Sequence, residues 1–575
     1  MKWAPFRKED FELFFRPPEK NSVIPRGLWQ LASLCAIIVA AIYIGLVVTT
    51  DNTNLGTTNG LWKSPVVFAW GHGATDPVDS GGMLYADLYG HLARLIPDSL
   101  LRYGVAPPDV TFRKMAILNA MFGGLASGLV FLLAYRFTYS IAFAAAICLM
   151  HAGAGFVLLD SINSEDIIPA YAFFLGATIC FFEFLHRGGV RWFAASALLL
   201  ALATLLHWTV MVPGLAAVCA VYAILLPHGK RFLWQGTVWL LAFCVLAQIL
   251  ILIALPRHHI PFWYVLYPGK ANAGGWLGLF GEKFWYLLVG TGNYFSGANN
   301  MANYKMAFEN ASILRSMVLS WTVLAIALAS CIAVAIRRRA TSAAQFLSVY
   351  ALALFTVGEA GAVYSQPQDP QMQIEPMFVV IAGMVLLVRQ GAALNGSIGR
   401  RCGMLALTGI AVANSTWNVY LMQRGRGQDS EAIAAIAEIG RLFPKTKTVI
   451  VSHGFEGWLS WDYVLLWKGD SKGFIENSVH LARPFTITRG IKGSDAASIV
   501  CKQIDAALSE GRRVVAAALW TMPAQEMVDS LTTVTDQSDA RAYVAILKKR
   551  YRSGAEWNTR LGRFVEILPA HSGPG

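Results

Sequence analysis

The chain has 575 residues, of which 55% are hydrophobic and only 14% charged, where a soluble domain carries nearer a quarter charged residues. Mean hydropathy is +0.48, which excludes a disordered chain, a nucleic-acid-binding scaffold and a collagen-like repeat. Net charge is +12 with a pI of about 9.3, but the basic residues cluster at the edges of apolar stretches, so the charge is topological and calls for no nucleic-acid partner.

Lys2, Arg7, Lys8, Arg16, Lys20 and Arg26 crowd the N-terminal segment, residues 1–27. The apolar stretch that follows, 28–49, is too long for a signal-peptide core, and no small-x-small cleavage site follows it. It reads as a signal-anchor helix. Further apolar runs predict spans at 115–135, 139–160, 167–185, 192–206, 209–227, 232–256, 313–336, 343–363, 376–389 and 403–421, about eleven in all. The pairs within 115–160 and 192–227 are spaced as tight helical hairpins. Basic clusters follow alternate stretches: Arg187/Arg191, Lys230/Arg231, Arg337-Arg338-Arg339 and Arg389/Arg400/Arg401. The short loops around 161–165, 207–208 and 364–374 hold no Lys or Arg. By the positive-inside rule the N-terminus is cytoplasmic, and an odd span count puts everything after 421 on the exterior, periplasmic face of a bacterial inner membrane.

Two exterior loops are long. The first, 50–114, contains a helical pattern from Met83 to Arg102, with Leu84, Leu88, Leu92, Leu95 and Ile96 at helical spacing, which suits a helix lying on the membrane surface. The second, 257–312, is rich in aromatics, Gly and Asn, among them Trp263, Tyr264, Trp276, Trp285 and Tyr294, a composition expected at the water–lipid interface. Beyond 421 the charge density becomes ordinary. Strands at Thr446–Ser452 and Arg513–Trp520, with helices at 429–442, 496–510 and 522–532, predict a soluble α/β domain over 422–575. Of eight cysteines only Cys501 falls in that domain, and no CxxC or Cys/His metal spacing occurs. The fold class is therefore a polytopic α-helical membrane protein with a C-terminal α/β domain.

Acidic residues gather at the exterior edges. The first loop carries Asp51, Asp76, Asp79, Asp87, Asp98 and Asp109, and the loop before the fourth span carries Asp160, Glu165 and Asp166. Asp79, in Asp76-Pro77-Val78-Asp79-Ser80-Gly81-Gly82, immediately precedes the helical pattern. A base there would reach both an aqueous acceptor and a lipid headgroup. The plainer alternative makes Asp79 a neighbour of an N-cap at Ser80.

This layout resembles the GT-C glycosyltransferases, a superfamily that includes protein O-mannosyltransferases, lipid A aminoarabinose transferases and the oligosaccharyltransferase catalytic subunit. The likeness rests on a cytoplasmic N-terminus, one span, a long first exterior loop with its Asp, and the hairpin from Arg113-Lys114-Met115 to Tyr135-Arg136. It covers roughly residues 1–390. It implies a GT-C-like fold and transfer of a sugar from a polyprenyl-phosphate donor to a glycan, lipid or protein acceptor on the exterior face, with Asp79 as catalytic base. It also implies a second acidic site at Glu165 and Asp166, in Asn163-Ser164-Glu165-Asp166, and a large loop at 257–312 folding over the active site. The Arg-Tyr pair that the superfamily often keeps in its Pro-containing exterior loop is absent, with Met372-Gln373 in its place.

An inverting transfer needs a carboxylate to deprotonate or orient the acceptor and cations to stabilise the departing lipid phosphate. Arg257, His258, His259 and Lys270 open the second long loop and are the candidate donor-phosphate ligands. For Arg257 the alternative is an interfacial anchor that snorkels from the helix end. The sequence names no certain cofactor, and His258-His259 with Glu165 or Asp166 make a candidate divalent-metal site. Glu359, late in its span, either lines the acceptor cavity or bonds a neighbouring helix, and Glu183 reads as a snorkelling acid at the cytoplasmic edge. A lipid or solute transporter, or an assembly scaffold, is the competing function class. A transporter would show paired repeats and mid-membrane ionisable residues, and neither is visible in this sequence.

Overall fold

The computed structural model describes residues 26–51, 84–97, 107–163, 166–254, 282–296, 308–336, 343–364, 373–394, 396–424, 426–444, 446–452, 478–482, 484–485, 491–516, 520, 522–531, 535–560 and 562–570. Its helical body comprises α1 (Arg26–Thr50), α2 (Tyr85–Ala93), α3 (Pro107–Thr138), α4 (Ile141–Ala152), α5 (Gly155–Ile162), α6 (Ile167–Arg187) and α7 (Val190–Leu206). It continues through α8 (Met211–Leu225), α9 (Arg231–Ala254), α10 (Glu282–Ser296), α11 (Ala311–Ile336), α12 (Ala343–Tyr364), α13 (Phe378–Leu394) and α14 (Gly396–Arg424).

Each apolar stretch of the sequence is helical. Among the described residues seven helices are long and apolar enough to cross a membrane, and eight if α4 and α5 form one broken span. The chain is an integral membrane protein. The stretch expected as one straight span over 139–160 is instead bent by 64° between Ala152 and Gly155. Two predicted spans are short, Val190–Leu206 and Phe378–Arg389. The last span is long, but Asn414, Ser415 and Asn418 dilute its apolar character.

The contact between α1 and α3 is made by small residues. A Cβ on Gly124 would run into the carbonyl of Ala36 and stand 2.7 Å from the Ala40 Cβ, and one on Gly128 would stand 2.7 Å from the Ala32 carbonyl oxygen. Gly124-Leu125-Ala126-Ser127-Gly128 is thus a small-xxx-small face, which lets two backbones approach where lipid supplies no hydrophobic drive for association.

After α14 the chain forms α15 (Gln428–Leu442), β1 (Thr448–Ser452), β2 (Ser478–His480), α16 (Gly493–Ser509), β3 (Arg513–Ala516), α17 (Ala524–Leu531), α18 (Gln537–Arg550), β4 (Tyr551–Thr559) and β5 (Gly562–Pro569). The strands make one sheet in the order β2-β1-β3-β5-β4. β1 runs parallel to β2 and β3, while β5 runs antiparallel to β3 and β4. β1 is buried along its whole length, as a central strand must be. Val500 and Ile504 of α16 and Tyr543 and Leu547 of α18 pack in the core of this sheet, and the Tyr543 hydroxyl donates to the Leu481 carbonyl at 2.8 Å. The hairpin β4–β5 and α18 carried no signal in the sequence reading.

Asp51 ties the sheet-bearing segment to the helical body. One carboxylate oxygen pairs with Arg113, whose side chain is buried, and the other accepts from the Ser430 N–H at 3.3 Å and from the Ser430 hydroxyl. The Gly427 N–H donates to the Thr50 carbonyl at 3.1 Å beside it. Asp51 has φ +50°, a left-handed conformation that Asp tolerates better than most residues.

If α1 and α3 need this close approach, Gly124→Val should lower stability by about 1–3 kcal/mol, whereas Gly45→Ala, whose Cβ would meet nothing within 4 Å, should leave it unchanged. The thermal midpoint in detergent is the measurement, and equal midpoints for the two variants would contradict this packing.

Candidate functional site

The buried ionisable side chains concentrate at the end of the helical body to which the sheet-bearing segment is tied. The bend between α4 and α5 carries Asp160 and Asn163 inward. Asn119 of α3 donates its amide to the Asn163 carbonyl at 2.9 Å and to the Asp160 carbonyl at 3.4 Å. The Asn163 amide donates to the Asp160 carboxylate at 3.1 Å. The Tyr89 hydroxyl of α2 in turn donates to the Asn119 amide oxygen. All four side chains are buried.

Asp166, at the start of α6, is fully buried and lies 3.7 Å from His207 Nε2. His207 sits in the turn between α7 and α8, where its Nδ1 is 2.6 Å from the Thr209 hydroxyl. Thr209 donates to Glu375 at 3.3 Å. Glu375 precedes Pro376 and the start of α13, so one chain of polar groups joins the ends of four helices. Nearby in sequence, the Gln373 amide donates to Glu359 of α12 at 3.3 Å, and Lys283 of α10 donates to the Val363 carbonyl at 3.0 Å.

Asp160, Asp166, Glu359 and Glu375 are thus four carboxyl groups at least nine-tenths buried at one end of an apolar body. Desolvating an ionised carboxylate costs several kcal/mol even after relaxation, so such a cluster is expensive unless it serves a site. Chemically it can accept a proton, orient a hydroxyl acceptor, or bind a group carrying compensating positive charge. Among the described residues no group of three His, Cys, Asp or Glu is placed to hold a metal ion.

No family model matches the sequence, and no curated protein matches it. Solved structures do match. ArnT from Cupriavidus metallidurans, solved bound to undecaprenyl phosphate, superposes with a TM-score of 0.51 at 12% identity, over 96% of this chain and 100% of that one. The chain shares the fold of that protein over nearly its whole length. The same protein in its apo state matches at 11% identity over 95% of this chain and 99% of that one, with a TM-score of 0.43.

Within the ArnT fold, Asp166 is the sequence-predicted site residue that the structure places in the buried cluster. Asp79, Glu165, Arg257, His258 and Lys270 lie outside the described residues. The first-loop helix departs from the surface helix expected over Met83–Arg102: α2 is nine residues long and packs into the body, with Leu84, Tyr89 and Ala93 buried. Its entry is pinned by the Leu84 N–H donating to the Leu205 carbonyl at 3.0 Å. A helix with buried residues on this face and a hydroxyl bonded to α3 is part of the core.

Glu183 also departs from its expected role. It does not snorkel; it is buried and held by Arg136 at 3.4 Å and Arg187 at 2.6 Å. Of the two readings of Glu359, the bond to a neighbouring segment is realised, through Gln373. Glu375 carries almost no local mark of its place in this chain of polar groups. Its only signal is an acid directly before Pro376 and a long apolar run, and nothing in that pattern reveals a partner 166 positions away.

The Thr209 hydroxyl bridges two buried ionisable groups, so Thr209→Val should leave His207 and Glu375 each short of a hydrogen bond, costing roughly 1–3 kcal/mol. Thr322→Val, an exposed position whose hydroxyl donates to the carbonyl four residues earlier, should fall within about 0.5 kcal/mol of the parent. Matched melting curves check this.

Proposed function

We propose that the chain is a membrane glycosyltransferase that moves a sugar, with inversion, from a polyprenyl-phosphate donor to an acceptor at the exterior face. One observation carries this reading: the fold extends over essentially the whole chain and is shared with a protein solved with undecaprenyl phosphate bound. The cluster of buried carboxyl groups gives it a chemical centre at one end of the helical body.

In this reading residues 1–27 are cytoplasmic, 28–421 form the membrane domain with about eleven spans, and 422–575 form a periplasmic α/β domain. The cluster end of the body then faces the exterior. Asp79 acts as base on the acceptor, drawing its hydroxyl proton as the nucleophilic oxygen attacks the anomeric carbon and the bond to the lipid phosphate breaks. Asp166, with Glu165 beside it, forms the second acidic site and orients the acceptor or the sugar. Arg257, His258 and Lys270 neutralise the departing phosphate. Arg257 is the strongest of these, because a guanidinium meets phosphate through two parallel hydrogen bonds. A divalent ion held by His258 and His259 with Glu165 or Asp166 would add charge neutralisation at the phosphate.

The test is transfer itself. Vesicles containing the chain, supplied with radiolabelled polyprenyl-phosphate-linked sugars, should release the free polyprenyl phosphate and yield a labelled product of inverted anomeric configuration. Absence of transfer with every donor, together with no binding of undecaprenyl phosphate, would remove this reading. Asp79→Asn should keep donor binding while turnover falls about a hundred- to ten-thousand-fold, the usual cost of losing a general base. Arg257→Lys should weaken donor binding in part and Arg257→Ala severely. A mere membrane anchor would tolerate Lys, which snorkels as Arg does.

A further inference from the structure

The break between α4 and α5 leaves carbonyl groups without their helical partners, and in an apolar body each must find another donor. The Ala152 carbonyl accepts from the Tyr43 hydroxyl of α1 at 2.6 Å. The Gly153 carbonyl accepts from the amides of both Asn414 and Asn418 of α14, each at 2.8 Å. Asn418 also donates to the Phe295 carbonyl at the end of α10, at 2.6 Å. Both asparagines are buried. The fit is close: a Cβ on Gly153 would collide with the Ser415 hydroxyl, so α14 is seated directly on the break.

What the break positions is the acidic loop. α5 has only eight residues and runs from the bend to Asn163, so its direction sets where Asp160, Asn163 and Asp166 arrive. On its far side a Cβ on Gly123 of α3 would collide with the Ser161 hydroxyl, which leaves α5 little room except along the bent course.

We infer that Asn414 and Asn418 are positioning residues of the candidate site, holding the bend through the Gly153 carbonyl so that α5 delivers Asp160 and Asn163 to their partners. Neither touches the acids. Their effect on turnover rests on the transferase reading, but their effect on geometry does not. Because two donors share one carbonyl, either one backs up the other, and the double variant should lose far more than the product of the single losses. α14 also leads through Arg424 to Gly427 and the Thr50 contact, so the clamp sits on the same helix that carries the sheet-bearing segment.

The experiment uses the full chain with Ile162→Cys, a position buried in the parent, and follows its labelling by a membrane-impermeant maleimide. In the Asn414→Leu/Asn418→Leu background labelling should accelerate at least tenfold, as α5 straightens away from α3. Transfer should fall at least tenfold in kcat, since a misplacement of about 1 Å can cost a hundredfold, while KM for the polyprenyl-phosphate donor stays within about twofold. A general packing role would instead reduce the yield of folded protein without separating kcat from KM. Where the double Leu variant does not fold, Asn414→Ala/Asn418→Ala, which removes both donors from the Gly153 carbonyl without adding bulk, is read in the same way. Parent-level labelling in the folded double variant overturns the clamp, and accelerated labelling with unchanged turnover overturns its positioning role. Accelerated labelling when even the parent transfers nothing from any donor and binds no undecaprenyl phosphate supports the clamp and overturns the transferase reading.

Discussion

A backbone carbonyl inside an apolar body has no water to turn to, and the centre of this molecule is arranged around that constraint. Where α4 stops, the carbonyls of Ala152 and Gly153 are claimed by Tyr43, Asn414 and Asn418. Those donors come from α1 and α14, the first and last helices of the body among the described residues. One break therefore draws the two ends of the helical sequence together. The small residues at Gly124 and Gly128 let α1 lie close enough against α3 for Tyr43 to reach across. Polar side chains in the last helix, which make it a poor spanning segment by composition, are spent on these bonds.

The same constraint shapes the acidic cluster. A bent α5 presents its carboxyl-terminal loop toward α2, α3 and the turn after α7, so that Asp160, Asn163 and Asp166 meet Asn119 and His207. A straight helix would have carried these groups away along the body axis. Burial then strengthens every remaining interaction, since charges are less screened in a low-dielectric surround. His207, Thr209 and Glu375 form a chain with a hydroxyl at its middle. A hydroxyl both donates and accepts, which lets it join an imidazole to a carboxyl group without leaving either unsatisfied.

At the opposite end of the body the charges are handled differently. Glu183 lies between Arg136 and Arg187, a compact arrangement in which one acid meets two cations. It is a structural ion pair that joins α3 to α6. Paired burial of this kind is costly to break and contributes little when intact. The contrast with four carboxyl groups gathered at the other end is what distinguishes a site from a tie. Asp51 is a tie as well, since its carboxylate is divided between Arg113 and the first turn of α15.

The long apolar helices of the body were legible from sequence because hydropathy is a local property: twenty apolar residues in a row have few alternatives to a spanning helix; α10, which lies within the expected loop 257–312, was not. The strands Thr448–Ser452 and Arg513–Ala516 were legible for a similar reason, as short β-branched runs between polar segments. Asp166 stands out in the sequence as an acid between two apolar runs, and only packing sets it beside His207. The break at Gly153 was not legible, since Ala152-Gly153-Ala154-Gly155 is as compatible with a continuous helix in lipid as with a bend. Nothing local in the sequence marks Asn414, Asn418 or Glu375 for a role. Their meaning depends on partners more than a hundred positions away. Composition and periodicity decide which segments enter the membrane, because that choice is made residue by residue against lipid. Only the packed structure decides which carbonyl is left open and which amide closes it, because that choice is made between segments that meet only once the chain has folded.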